Sequence, residues 1–481
     1  MRISSIIFAL CGATAASDRR RGNLHSHETS HGENNYSRAL PSCPLHPCIS
    51  TRLYFSFCQP DKKEEHYTHI NLATSTGDHQ YIKANSKFFA VATRAGGGGA
   101  LAVIPHKAIG KQPNNYPKIT GHTAAIFDFE FNPFHDQIIA TGSDDCTAKV
   151  WGIPGEDGLT ENLHDPLVDL DGHMKKVVFT KFHPTAANVL ATASADRTVK
   201  LWDIEAGGDA KQTLEGAEAT FQDLVFNYNG SQLATSSKDK KLRIYDPRTN
   251  AVVQETQPHE GSKCFKICYQ GKGTNIITVG FTRQSKRQFR IWDSRALGEK
   301  PIHTENIDQS AGVIMPFFDE DSNVLFLAGK GDGNIRFYEI VDSKPYAFSL
   351  SEHRASNSQK GFCFIPKRHC DTTKCEVMRG MKLTSNSVEG LSFIIPRKSD
   401  RFQADIYPDT YAGQPSMTCE EFFGGKDADP KLVSMDPKKA SSGGDGAAAS
   451  SMSLKSKAQL QKELDAALAR IKELEAQLAA K

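Results

Sequence analysis

The sequence has no long hydrophobic run. No stretch approaches the ~18 consecutive apolar residues that a membrane-spanning helix needs. It has no excess of either charge: 58 Lys and Arg against 56 Asp and Glu leave a net charge of +2. That excludes a global field suited to nucleic acid or an anionic membrane, so a charged partner has to be met by a local patch. The 11 cysteines are odd in number, scattered, and without a Cys-x-x-Cys pair. They predict reduced thiols in a cytoplasmic protein rather than a disulfide framework. Metal and cofactor chemistry is equally thin. His369, Cys370 and Cys375 lie close together but lack a fourth ligand nearby. The Gly96-Gly97-Gly98-Gly99 run is not followed by Gly-Lys-Ser/Thr and is no phosphate loop. No cofactor and no metal are expected.

Tryptophan is also scarce, three in all, and two of the three close copies of one unit. The first copy opens Gly121-His122-Thr123 and ends Lys149-Val150-Trp151. The second opens Gly172-His173-Met174 and ends Lys200-Leu201-Trp202-Asp203. His and Trp stand 29 positions apart in both (122 to 151, 173 to 202), and an Asp, Asp145 or Asp196, falls six before each Trp. A Gly-His opening and a Trp-Asp close at a period of ~40–50 is the WD-repeat signature, one four-stranded propeller blade per copy. An indole N–H, a hydroxyl, an imidazole and a carboxylate can satisfy one another inside a sheet that would otherwise exclude them. His122, Ser143, Asp145 and Trp151, with His173, Ser194, Asp196 and Trp202, are the predicted network. A hydrolase built on His122 with Asp145, or His173 with Asp196, fails on repetition, because a duplicated set belongs to a scaffold. The expected protein is not an enzyme.

Three eroded units follow, ending at Tyr245-Asp246, Trp292-Asp293 and Tyr338, and residues 361–395 supply further strands. Counting 51–107 as one blade, with a hairpin turning at the glycine run, gives seven. The predicted fold is all-β: a seven-bladed WD-repeat propeller over residues 51–395, its last blade closed by an N-terminal strand so that no sheet edge stays free. Residues 1–50 begin like a secretory signal and continue polar and disordered in composition; they read as a non-native or loosely attached leader, because nothing downstream looks secreted, with a secreted role as the alternative. Residues 396–437 read as an extended arm packed on the propeller's outside, and 438–452, rich in Ser, Gly and Ala, as a flexible linker. Residues 453–481 hold good helix formers without Gly or Pro. Leu464, Ile471 and Leu478 fall at one heptad core position, and Leu460, Ala467 and Leu474 at the other, a short coiled coil.

Local motifs then resemble one family, the coronins. They include Gln59-Pro60, Pro258-His259-Glu260-Gly261, Gly280-Phe281-Thr282-Arg283, Pro316-Phe317-Phe318-Asp319 and Gly329-Lys330-Gly331-Asp332. The arm stretch Pro396-Arg397-Lys398-Ser399-Asp400-Arg401-Phe402-Gln403 with Asp405-Ile406-Tyr407-Pro408 is the most specific match, because ordinary WD-repeat proteins lack it. In the tail, Arg470-Ile471-Lys472-Glu473-Leu474-Glu475 is similar to the trimerisation motif of coronin coiled coils. Arg470 can pair with Glu475 of a neighbouring helix, which favours three strands; Ile471 with Leu474 in the core leans toward two. The chain departs from the family at Thr51-Arg52-Leu53-Tyr54-Phe55-Ser56-Phe57, where a basic, aromatic opening is usual, and at Asn71, where a basic residue often stands.

The resemblance implies binding to filamentous actin, self-association, and filament bundling or turnover at the cytoplasmic actin cytoskeleton and cell cortex. It also implies contact with the actin-nucleating complex of actin-related proteins. A generic scaffold for protein complexes is the competing reading. The basic clusters an acidic filament would meet are Lys175-Lys176, Lys238, Lys240 and Lys241, and Arg283, Lys286 and Arg287, all in or beside predicted turns.

Overall fold

The computed structural model describes residues 57–72, 77–93, 98–397 and 401–440. The signal-like leader, most of the linker and the predicted coiled coil with Leu464, Arg470, Ile471, Leu474, Glu475 and Leu478 lie outside the described residues, as does most of the glycine-run tip.

Among the described residues seven sheets stand around a ring, antiparallel except where Tyr67–Thr68 pairs in parallel with Gly110–Lys111. The first blade is Ile82–Ala84, Phe88–Thr93, Gly99–Pro105 and Lys118–His122. The second is Ile126–Phe131, Ile138–Ser143, Thr147–Gly152 and Val168–Asp171. Four more blades follow the same order, and the inner strand of each touches the inner strand of the next until the seventh meets the first. The seventh blade is Gly361–Phe364, Glu376–Leu383 and Ser387–Ile394. Its outer edge is covered by Phe57–Pro60 and by Tyr67–Thr68, so the N-terminal strand closes the ring. The first blade therefore does not span 51–107. The beginning of that stretch belongs to the last blade, and Lys118–His122 supplies the first blade's own outer strand.

Each sequence repeat straddles two blades instead of forming one. His122 ends the outer strand of the first blade, while Trp151 lies in the third strand of the second. The offset has a packing reason. The second strand of every central blade is a run of small or apolar residues, Ile138–Ser143 and Val189–Ser194 among them, buried on both faces between neighbouring sheets. Trp151, fully buried, packs against Phe88 and Leu101 of the first blade, and Trp202 against Ala140 and Val150 of the second. The opening glycine makes room for this. A Cβ on Gly121 would lie 2.6 Å from the Trp151 ring, and one on Gly172 3.1 Å from Trp202.

The arm lies across one end of the ring rather than along its outside. Ile406 and Tyr407 join the core between the sixth and seventh blades, and the Tyr407 hydroxyl donates to the Glu376 carbonyl at 2.9 Å. The Tyr411 hydroxyl then donates to the Pro184 carbonyl at 2.8 Å, and Ala187 N–H to the Met417 carbonyl at 2.9 Å. Both acceptor and donor sites on the ring belong to the third blade, on the far side from the seventh. The helix Cys419–Phe423 is fixed by a capping box between Thr418 and Glu421. It buries Phe422 completely, 4.4 Å from the His183 ring.

Candidate functional site

The repeated polar residues come together inside the sheets. Trp151 Nε1–H donates to Thr141 Oγ1 at 2.8 Å, and the same hydroxyl lies 2.7 Å from His122 Nε2. His122 Nδ1 is 2.8 Å from Asp145 Oδ2. The second copy repeats this within 0.1 Å: Trp202 to Thr192 at 2.7 Å, Thr192 to His173 at 2.8 Å, His173 to Asp196 at 2.9 Å. The pattern assigns each imidazole its proton on Nδ1, so that Nε2 accepts from the threonine. Each carboxylate is also filled by backbone N–H groups, Thr123 and Thr147 on Asp145, and Met174 and Thr198 on Asp196. Burial alone would raise these two acids. The hydrogen bonds they accept outweigh it and hold both well below the usual carboxylate range. No group in either chain is left to attack or protonate a substrate.

The hydroxyl at the centre is Thr141 or Thr192, not Ser143 or Ser194 as the repeats suggest. Ser143 Oγ donates to the Ala124 carbonyl and accepts from Asp145 N–H, bracing the turn, and Ser194 does the same with Lys175 and Asp196. Side chains alternate along a strand, and Thr141, two residues earlier than Ser143 on the same face, is the one that reaches the indole.

The later blades solve the same problem with other residues. His259 and Trp292 share Thr278 at 2.9 and 3.0 Å, but Gln288 replaces the aspartate, 3.1 Å from His259 Nδ1. In the fourth blade Arg243, 1 % exposed, pairs with Asp239 at 2.8 Å and Glu255 at 2.7 Å. Between the fifth and sixth blades Arg287 takes the histidine's place. It holds both oxygens of Asp308 at 2.6 Å and reaches Asp332 of the next blade at 2.5 Å.

Arg287 is therefore removed from the predicted contact surface: at 2 % exposure, with two carboxylates on it, it is an interior clamp. Lys241 is partly neutralised as well, 2.9 Å from Glu255 and 3.4 Å from Glu218. The remaining cations share one location. In an antiparallel blade the turns between second and third strands emerge at the same end as the loops between blades. Lys175 and Lys176 lie in the loop from second to third blade, Lys238 and Lys240 in the fourth-blade turn, Arg283 and Lys286 in the fifth-blade turn. Lys175, Lys238, Arg283 and Lys286 are exposed. Arg197 and Lys263, exposed at the same end, were missed by sequence reasoning. The signal for Arg197 was available in the repeats. It follows Asp196 as Lys240 follows Asp239, and both take the same left-handed turn, φ 74° and 69°. The arm occupies the opposite end.

Among the described residues no group of His, Cys, Asp and Glu is arranged to hold a metal ion, and no helix is long and apolar enough to cross a membrane. Buried thiols such as Cys268, pushed above the ordinary range by burial, are poor nucleophiles.

Comparison with known proteins supplies the rest. WD-domain, G-beta repeat profiles match residues 114–152, 164–203 and 208–246. A further type of WD40 repeat matches 388–430, and a domain of unknown function (DUF1899) matches 55–111. Coronin-A of Dictyostelium discoideum is 42 % identical over 386 residues, 80 % of this chain and 85 % of the relative. Coronin-2A of Homo sapiens is 39 % identical over 394 residues, 81 % of this chain and 74 % of the relative. Among solved structures, the WD40 domain of Toxoplasma gondii coronin superposes with a TM-score of 0.76 at 33 % identity, covering 80 % of this chain and 98 % of that domain. With a seven-bladed ring, an arm bound across it, and this identity over four-fifths of its length, the chain belongs to the coronin family.

Proposed function

We propose that this coronin binds filamentous actin through its propeller and, joined to sister chains by residues 453–481, links or reorganises filaments at the cell cortex. Family membership carries the reading, and the grouping of exposed cations at the end of the ring away from the arm supports it. Actin filaments are acidic, and a cationic end face suits them in a salt-dependent way. The actin-nucleating complex of actin-related proteins is a second partner under this reading, and three chains per assembly are favoured over two.

Co-pelleting with filamentous actin at low ionic strength tests it. The expected result is saturable pelleting that weakens on the order of tenfold in Lys238→Glu/Lys240→Glu, with unchanged unfolding. A chain ended after residue 452 sediments as a monomer, still pellets, and no longer bundles filaments. Protein that ignores actin at low salt while remaining folded would return the generic scaffold as the better account.

A further inference from the structure

The channel through the ring is not an empty bore. At the cation-rich end, residues 77–81 lie across its mouth, with the Gln80 carbonyl against Gly361 of the seventh blade. The His79 ring sits between Phe127 and Phe179, 5.7 and 5.1 Å away. Its Nδ1 is buried and has no hydrogen-bond partner among the described residues. Below it is a cavity of about 280 Å³ lined by His79, Lys83, Lys181 and Lys266, by the carboxylates Asp128, Glu130 and Asp223, and by apolar residues of the inner strands.

The charges of four lysines from different parts of the ring, Lys83, Lys176, Lys266 and Lys330, act on this imidazole. Lys83 and Lys266 are 8 % and 5 % exposed, within the channel. The Lys176, Lys266 and Lys330 ammonium groups lie over the Phe127, Phe179 and Tyr81 rings at 4.6, 5.0 and 4.4 Å. Their acidic neighbours are uneven. Lys83 is well paired, with Asp128 at 3.0 Å and Glu130 closer still. Lys266 donates to the Gln222 carbonyl at 2.5 Å and has Asp223 at 3.8 Å, and Lys176 has Asp144 only at 4.0 Å. Lys330 is bonded to the Gly77 carbonyl, and Asp78 is the acid that acts on it. Burial first, then the neighbouring lysines, hold His79 well below the ordinary histidine range, and burial pushes Lys330 down to about 8. Each of these costs falls when an anion enters.

We propose that this mouth of the channel binds a phosphate monoester, held by Lys266, Lys330 and an imidazole N–H of His79. Cations arriving from separate blades around an axis suit a tetrahedral anion with several acceptor oxygens better than a planar carboxylate. The aromatic rings beneath the ammonium groups fix their positions without neutralising them. The phosphate is either free in solution or carried on a lipid headgroup.

The test uses the full chain in phosphate-free buffer. Sodium phosphate at saturation raises Tm by about 3 °C, and sodium acetate or chloride at equal ionic strength does not. Lys330→Arg keeps the response and Lys330→Met loses it. Should K330M fail to fold, the His79 imidazole resonances of the wild type give the second reading: phosphate moves them and acetate does not. Phosphate-specific stabilisation without pelleting on phosphatidic acid vesicles assigns the site to a soluble ester. Pelleting on those vesicles, absent with phosphatidylcholine and absent in K330M, assigns it to a headgroup. A wild type that answers phosphate, acetate and chloride alike and ignores both vesicles overturns the proposal, as does a phosphate response that K330M retains.

Discussion

At the scale of single residues, one hydroxyl decides more than its size suggests. Thr192 accepts from the Trp202 indole and lies 2.8 Å from His173, both fully enclosed. Thr192→Val keeps the shape and removes the centre of the chain, leaving a buried N–H and an imidazole nitrogen unpaired. We expect a loss of about 2–3 kcal/mol in urea unfolding. Ser194→Ala, which leaves indole and imidazole paired, should cost about 1 kcal/mol.

Arg287 makes the same point with charge. Arg287→Met strips Asp332 of its guanidinium and leaves Asp308 with Arg336 alone, 2.6 Å away. We expect about 3 kcal/mol of lost stability and no change in actin pelleting below the unfolding temperature. The pH dependence follows from Asp308. Burial would raise this acid, but hydrogen bonds from Arg287 and Ser310 N–H, with the charges of Arg287 and Arg336, lower it to about 2. A carboxylate lowered from ~3.9 stabilises the fold above about pH 4 and loses that contribution as pH falls toward 2. Unfolding midpoints at pH 7 and pH 3 should therefore show the gap between wild type and R287M narrowing in acid.

At the scale of elements, the arm is the least repetitive part and the most informative. Phe422 is fully buried against His183, and the Arg248 guanidinium lies 5.6 Å from the centre of its ring while pairing with Asp427 at 2.9 Å. Phe422→Ala should cost about 3–4 kcal/mol locally. The expected sign is faster amide exchange and proteolysis over residues 411–433, with the blades unaffected.

This element also marks where sequence reading stops. Trp151, Trp202 and their histidines announce the blades because the repeat is local and printed twice. The path of the arm is not local. Tyr411 meets Pro184 across 227 positions, and no periodicity encodes such a contact. Arg287 was read as a surface cation for a related reason. Its two carboxylates come from an outer strand and from the next blade, 21 and 45 positions away. The His183-Pro184 pair was visible, but not its use. His183 accepts from Ala186 N–H at 2.9 Å, donates to the Gly230 carbonyl at 3.2 Å, and is pushed down to about 3 by burial. It is a neutral platform for the arm.

At the scale of the whole molecule, the seventh blade joins the two ends of the ring. Phe57–Pro60 pairs with Ser387–Ile394, and Asp61 takes the Arg379 guanidinium at 2.6 Å across 318 positions. Deleting residues through Pro60 bares most of that edge. We expect Tm to fall by about 5 °C or more, and light scattering to report association through the exposed strand. The order of synthesis adds a further consequence. Phe57–Pro60 leaves the ribosome more than three hundred residues before Ser387–Ile394 exists. It must stay uncommitted while six sheets form behind it, and the nascent chain is a crescent with a bare flank until the final hairpin emerges. The closing pairing, made last, is therefore the step at which the ring can close on a neighbouring chain instead of on itself.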